Sequence, residues 1–348
     1  MSQPIDLRSM DLDQLEAWVL SIGETKYRAK QIYQWLWKKG VAEIAQMTDL
    51  SMALREKLGS LTAFKPIQLD KSQVSTDGTI KSRFVLHDGH KIESVLIPVE
   101  QSKLYTVCVS TQVGCSLTCS FCATGKMKRL RNLEAAEIVD QFFLVNQQSL
   151  EQYATPLSNI VYMGMGEPLL NYKEVIRSTQ LLTHHLAIGL SPNRITVSTA
   201  GIAKMIRQLG DDQVRFNLAL SLHAADDIKR NEIMPINESN NLEILMDALE
   251  YFYYKTRNDI TYEYIAFNNF NDTLLDAQHL VSLCKRNFPV KVNIIEYNPI
   301  GGVAFVKTTQ DRLDIFTNYL YKHGVYVTVR RSRGKDIDAA CGQLANKE

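Results

Sequence analysis

Beyond residue 103 the chain alternates, unit after unit, between short β-branched runs and longer stretches with apolar residues at helical spacing. Residues 105–110, 159–163, 194–198, 215–221, 261–266, 291–297 and 326–330 read as strands. Residues 133–147, 172–185, 242–254, 272–287 and 311–323 read as amphipathic helices between them. A strand, a helix and a second strand pair in parallel, because the crossover returns the chain to the same end of the sheet. Six or so such units predict an α/β fold, a partial (β/α)6-type TIM barrel, with its chemistry at the carboxyl ends of the strands.

Two different textures precede this pattern. Residues 11–60 carry helical spacing throughout, in 12–22, in 27–39 and in a third short helix over about 50–58. Lys26, Arg28, Lys30, Lys38 and Lys39 interleave there with Tyr27, Tyr33, Trp35 and Trp37. Such a mixture suits phosphate contact with base stacking, and equally an amphipathic helix with an aromatic core face. Asp77-Gly78 and Asp88-Gly89 are hairpin turn signals beside the strand-like runs 82–86 and 91–98. The expected organisation is a small helical amino-terminal accessory domain over 1–60, a short β-hairpin segment over 61–100 and the main α/β core over 101–348.

At 348 residues the chain is long enough for one large domain with a small appendage, and its net charge of +1 supplies no global basic field. Any nucleic-acid contact must therefore come from local patches. No apolar run approaches the ~20 residues a bilayer span needs, and residues 1–13 lack the basic-then-apolar order of a secretion signal. The expectation is a cytoplasmic protein with no membrane partner. Six cysteines in a reducing compartment are ligands, reactive thiols or core residues rather than a disulfide scaffold.

Val109 to Thr124 reads VSTQVGCSLTCSFCAT, which sets Cys115, Cys119 and Cys122 at Cys-x3-Cys-x2-Cys after the first parallel strand. A Cys-x2-Cys pair alone serves zinc as readily, with Cys108 or a histidine completing the set. The triple spacing, Phe121 before the last cysteine and the βα units that follow favour three irons of a 4Fe–4S cubane. Its fourth iron is then open to a chelating ligand, and the amino and carboxylate groups of S-adenosylmethionine suit that position. Further motifs end successive strands: MGMGEPLLN at 163–171, VSTAG at 197–201 and SLHA at 221–224. Gly164 and Gly166 permit close backbone approach, and Glu167 can accept from an ammonium group. Cys284 reads as core packing. Cys341, among Ala339, Ala340 and Gly342, reads as a buried core thiol or an accessible one.

On these stretches, with MPIN at 234–237 and DIDAACGQL at 336–344, the chain resembles the radical S-adenosylmethionine superfamily. Within it, the chain is similar to the RlmN/Cfr family of RNA adenosine methyltransferases over nearly its whole length. Lys128 departs from the glycine common in that family after the cluster loop. The resemblance implies a radical S-adenosylmethionine core, a 4Fe–4S cluster on Cys115, Cys119 and Cys122, and two S-adenosylmethionine molecules per turnover. It implies that Gly166, Glu167, Ser198, Ser221, Leu222, His223 and Asn298 contact the cofactor. It further implies that Cys341 accepts a methyl group and carries it to the adenine. Cys108 then attacks the sulfur to release RNA through a transient disulfide bond, and Glu93 takes the C2 proton. The implied substrates are C2 of adenine 2503 in 23S rRNA and of adenine 37 in tRNAs, with a reducing donor such as flavodoxin as partner and a monomer as the acting form. Pro168 matches the C2 enzyme, whereas the sister activity that methylates C8 tends to carry alanine there. Two basic runs, Lys126, Lys128, Arg129 and Arg131, and Arg330, Arg331, Arg333 and Lys335, flank the reactive centre and are candidate phosphate contacts.

Overall fold

The computed structural model describes residues 4–347. Three helices come first, α1 (Leu12–Ser21), α2 (Lys26–Trp37) and α3 (Met52–Leu61). Four strands follow, β1 (Gln68–Val74), β2 (Ile80–Val85), β3 (Lys91–Val99) and β4 (Leu104–Cys108). After the short strands β5 (Gln112–Val113) and β6 (Arg131–Asn132) the chain alternates regularly. The order is α4 (Ala135–Tyr153), β7 (Asn159–Tyr162), α5 (Tyr172–Thr183), β8 (Ile195–Thr199), α6 (Ala203–Asp211) and β9 (Asn217–Ser221). It continues through α7 (Asp227–Ile233), α8 (Leu242–Thr256), β10 (Ile260–Ala266), α9 (Leu274–Cys284), β11 (Val290–Glu296), α10 (Gln310–Lys322) and β12 (Tyr326–Arg330).

One ten-stranded sheet organises the molecule, in the order β1-β2-β3-β4-β7-β8-β9-β10-β11-β12. From β4 onward every neighbouring pair is parallel, so six helical crossovers link seven strands. Both faces of the central strands β9 to β11 are covered, which is why they read as nearly continuous apolar runs, whereas the edge strand β12 is largely exposed. The sheet stays open among the described residues, with β1 and β12 as its edges. β1, β2 and β3 join it antiparallel, so the hairpin segment extends the main sheet rather than standing apart.

The helical amino-terminal unit resolves the double reading of its aromatics. Tyr33, Trp35 and Trp37 are buried in the core, and only Tyr27 stands exposed. They share the α2 face that carries Ala29, Ile32 and Leu36, so packing claims them and base stacking is left to Tyr27. Lys26, Lys30, Lys38 and Lys39 remain exposed. The unit docks through Arg8, whose Nη1 donates to Asp140 Oδ2 on α4 at 2.8 Å, while Asp140 also accepts from the Ile67 N–H at 3.2 Å.

Candidate active site

The carboxyl ends of the parallel strands open onto a cavity of about 700 Å³. Cys108 at the end of β4, Glu167 after β7, Ser198 on β8, Ser221 on β9, Glu263 on β10 and Arg330 on β12 all line it. Residues from both β4 and β12 face one space, so the open sheet curls around a single mouth.

The cysteine loop enters that mouth from a closed neck. β5 and β6 pair antiparallel, Gln112 against Asn132 and Val113 against Arg131, and so pin the two ends of the loop together. Gly114 turns the chain at φ +75°, where a Cβ would lie 2.2 Å from the Lys128 carbonyl oxygen. Only glycine fits such an approach at positive φ. The unusual Lys128 therefore contributes its backbone to the neck. Cys115, Cys119 and Cys122 all line the cavity, and Cys115 Sγ accepts from the Leu117 N–H at 3.4 Å. Burial pushes each thiol up, Cys115 to about 11, and Cys119 is raised further by the charges of Cys122 and Cys115. Thiols crowded and desolvated in this way ionise when a metal supplies the opposing charge. Among the described residues no three His, Cys, Asp or Glu side chains are gathered as a single metal ion requires.

The glycine-rich strand end after β7 is built by close packing. A Cβ on Gly164 would lie 2.7 Å from the Val109 carbonyl, and one on Gly166, at φ +98°, would lie 2.5 Å from Gln112 Cβ. Glu167 is buried and bridges two strand ends, its Oε2 accepting from the Ala200 N–H at 2.7 Å and its Oε1 from the Leu169 N–H at 3.0 Å. Burial raises this carboxyl, while these backbone donors and Thr199 oppose the rise. Each oxygen keeps a second lone pair for a ligand.

Ser198 and Ser221 meet across β8 and β9 with their hydroxyl oxygens 3.4 Å apart. Leu222 buries its side chain in the core and does not line the cavity; its N–H donates to the Glu263 carbonyl at 3.0 Å, and its carbonyl accepts from the Ala224 N–H at 2.7 Å and from Arg230 Nε at 3.1 Å, so it holds the strand end rather than offering a group to a ligand. His223 lines the cavity at φ +56°, and its Nδ1 accepts from the Ile265 N–H at 3.1 Å, which places the ring proton on Nε2. Burial, then the Arg230 charge, pull it down to about 3, so it is a neutral donor and not an acid–base group. Asn298 is not on the cavity wall. Its Nδ2 donates to Ser332 Oγ at 2.9 Å and reaches the Cys341 carbonyl at 3.5 Å, tying down the segment that bears Cys341.

Cys108 and Cys341 line the same cavity as the loop. Cys108 is buried on β4, and Cys341 is exposed on the carboxyl-terminal segment, its surface opening onto the cavity. Burial raises Cys108 to about 12, and the protein packed around the recessed Cys341 sulfur raises it to about 12 although the residue opens onto the cavity; each is raised further by negative charge nearby, Cys108 by Cys341, and Cys341 by Cys122 and Glu263. Arg330 opposes the rise at Cys341. A disulfide bond between them is not a feature of the folded chain, where both are free thiols. Cys284 is free and packs against the core, away from the cavity.

Glu93 stands elsewhere. It is buried on β3, outside the cavity lining, and its Oε2 accepts from the Ala345 N–H at 2.9 Å and the Asn346 N–H at 3.1 Å. Lys81 Nζ lies 3.8 Å from its Oε1. The carboxyl-terminal tail thus sits on the group expected to act as a base. Arg131 is also less free than the basic run suggested, since its guanidinium binds both oxygens of Glu137 at 2.7 and 2.8 Å and Asp88 at 2.5 Å. Lys335 is paired with Glu296 at 2.6 Å, whereas Arg330, Arg331 and Arg333 face the cavity.

Two site residues escaped the sequence reading. Arg230 on α7 is fully buried and reaches from the MPIN segment across two strand ends. It donates to the carbonyls of Ala200 at 2.6 Å, Leu222 at 3.1 Å and Ser221 at 3.2 Å, and to Asn237 Oδ1 at 2.6 Å. Nothing in the sequence marks one arginine of a short polar helix as buried. Glu263 did leave a signal, a lone carboxylate inside the apolar run ITYEYIA, where an unpaired charge would be costly without a use.

Three half-buried thiols on a pinned loop at the mouth of a curled parallel sheet define a radical S-adenosylmethionine enzyme, and the comparisons agree. Residues 109–281 match the Radical SAM superfamily, and residues 5–63 match the ribosomal RNA large subunit methyltransferase N-terminal domain. A probable dual-specificity RNA methyltransferase RlmN of Cytophaga hutchinsonii is 52% identical over 98% of this chain and 93% of its own length. The dual-specificity RNA methyltransferase RlmN of Geobacter sulfurreducens is 43% identical over 100% of this chain and 94% of its own. The crystal structure of a radical SAM methyltransferase from Sphaerobacter thermophilus superposes with a TM-score of 0.93 at 36% identity, covering 99% of this chain and 100% of that one. The chain belongs to the RlmN family of radical S-adenosylmethionine RNA methyltransferases. Its family implies S-adenosylmethionine and a 4Fe–4S cluster as cofactors and RNA as substrate. No helix among the described residues is long and apolar enough to cross a membrane.

Proposed function

We propose that the enzyme methylates C2 of adenine 2503 in 23S rRNA and C2 of adenine 37 in tRNAs by way of a methylated Cys341. The observation that carries this reading is the convergence of Cys108 and Cys341 on the cavity that the three-cysteine loop enters. Adenine C2 is electrophilic, so displacement at a methyl sulfonium cannot methylate it directly, and a carrier thiol answers that difficulty. Cys115, Cys119 and Cys122 would hold the cluster, which when bound supplies the one-electron chemistry that splits S-adenosylmethionine. Gly166, Glu167, Ser198, Ser221 and His223 would seat the cofactor, with Leu222 holding the β9 end in place and Asn298 fixing the Cys341 segment beside it. Cys341 holds the methyl group as a thioether and presents it to the base. Glu93 would take the C2 proton once the tail that covers it moves aside, and Cys108 would attack the Cys341 sulfur to release RNA. The sulfur–sulfur bond made in that step would be reduced by exchange with an external thiol reductant, which is itself oxidised to a disulfide, restoring both thiols before the next turnover. Two molecules of S-adenosylmethionine are consumed, one as methyl source and one as radical source.

On this reading 1–60 is an RNA-binding accessory domain, 61–100 a β segment and 101–348 the catalytic core. The enzyme works as a monomer in the cytoplasm, with a reduced electron carrier such as flavodoxin. Anaerobic incubation with RNA and S-adenosylmethionine, followed by nucleoside analysis, should yield 2-methyladenosine. Recovery of 8-methyladenosine instead would assign the sister activity.

A further inference from the structure

A polar row runs across the sheet at one level, from Ser221 and Glu263 on the cavity wall to Asn293 and Thr328 beyond it. Ser221 on β9 is in register with Glu263 on β10, Glu263 with Asn293 on β11, and Asn293 with Thr328 on β12. Register partners in a parallel sheet project to the same face. The hydrogen bonds along this row run one way: Thr328 Oγ1 donates to Asn293 Oδ1, and Asn293 Nδ2 donates to Glu263 Oε1 at 2.8 Å. The orientation of the Asn293 amide follows from that network. Glu263 is buried, lines the cavity, and leaves Oε2 with no hydrogen-bond partner among the described residues. A desolvated carboxylate oxygen without a donor is costly, and a site that keeps one waits for a donor from its ligand.

We propose that Glu263 reads the exocyclic amine of the target adenine, accepting its hydrogen bond on Oε2 and so selecting adenine over 6-oxo purines. The proposal deepens the reading of the cavity as an RNA adenine methyltransferase site and rests on it. C2 and the exocyclic amine lie on the same Watson–Crick edge, on either side of N1. A flipped base that offers C2 to Cys341 therefore offers its amine a few ångströms away. Glu263 sits on the wall with Cys341, close enough for its charge to bear on that thiol, and Arg330, Arg331 and Arg333 line the same side. S-adenosylmethionine carries the same amine, and its expected contacts run from Glu167 and Ser198 to Ser221 and His223 at the β9 end beside Glu263, so the test separates the two ligands.

The direction of the row sharpens the test. In Glu263→Gln, Asn293 still donates to the ε1 position and draws the amide oxygen there, which turns the amide NH2 toward the ligand. An acceptor becomes a donor, and the preference should invert. The experiment measures binding of RNA stem-loops bearing adenosine, inosine or purine riboside at the target position to reconstituted holoenzyme. S-adenosylmethionine binding is measured alongside.

Wild-type enzyme should favour adenosine over inosine by about ten- to a hundredfold, with purine riboside between, as expected when one buried polar contact is lost or opposed. Glu263→Gln should bind the inosine RNA at least as well as the adenosine RNA, with S-adenosylmethionine affinity unchanged. Equal binding of all three RNAs by wild type, or a wild-type preference for inosine, overturns the assignment whether or not the variant folds. Loss of S-adenosylmethionine affinity with RNA preference intact overturns it too, assigning Glu263 to the cofactor. Failure of wild type to methylate any adenosine RNA would instead count against the proposed function itself.

Discussion

Cys108→Ala should leave RNA covalently joined to the protein at Cys341, while Cys341→Ala should form neither adduct nor product. The two thiols sit on one cavity but in different settings, Cys341 open to it and Cys108 buried at the end of β4. An accessible thiol suits the group that touches the base, and a buried one suits a group needed only after the adduct has formed. Removing the first therefore stops the sequence before RNA is attached, and removing the second stops it after. Turnover should fall by about 10³-fold or more in each variant, the scale seen when one member of a covalent unit is deleted. Denaturing electrophoresis with labelled RNA distinguishes them, since the adduct runs as a nuclease-sensitive shifted band in Cys108→Ala alone. Normal turnover by either variant would remove that thiol from the mechanism.

Arg230→Ala should be the most damaging substitution outside the reacting groups. Its guanidinium spans the Ala200, Leu222 and Ser221 carbonyls and Asn237, so alanine leaves two buried carbonyls and one partly buried one without this donor and opens a cavity where the side chain lay. Deleting one partner of a buried, hydrogen-bonded charge costs about 3–5 kcal/mol. Burial lowers this guanidinium to about 10, while Cys119 and Asp227 support its charge, so the cation also stands beside the cluster loop. Arg230→Lys should fall between, because one ammonium cannot serve all four acceptors at their separate positions. Denaturant unfolding of the three proteins checks the order, and an Arg230→Ala loss below about 1 kcal/mol would contradict the clamp.

Much of this architecture was legible in the sequence because the signals were periodic. Buried parallel strands announce themselves as apolar runs, and all seven lie where the runs placed them. β1 gave no such signal, since it is an edge strand with mostly exposed side chains in QLDKSQV and has no apolar face to alternate. The cysteine loop was legible because ligand spacing is local. The setting of Glu93 was not, because its partners are backbone N–H groups of Ala345 and Asn346, which every residue but proline possesses. Arg230 was hidden for the same reason: its partners are mostly carbonyls, and composition says nothing of which arginine meets them. The aromatics of α2 looked alike in sequence, and only tertiary packing separated exposed Tyr27 from buried Trp35 and Trp37.

The central claim, that the methyl group reaches RNA through Cys341, can be measured in one labelling experiment. Enzyme is first incubated with S-adenosylmethionine bearing a ¹³C-methyl group, freed of small molecules, and then given unlabelled cofactor, reductant and RNA for a single turnover. Mass spectrometry follows both the Cys341 peptide and the product nucleoside. The account predicts that the label leaves Cys341 and appears in the first methyladenosine formed. A labelled Cys341 that persists beside an unlabelled product would contradict it.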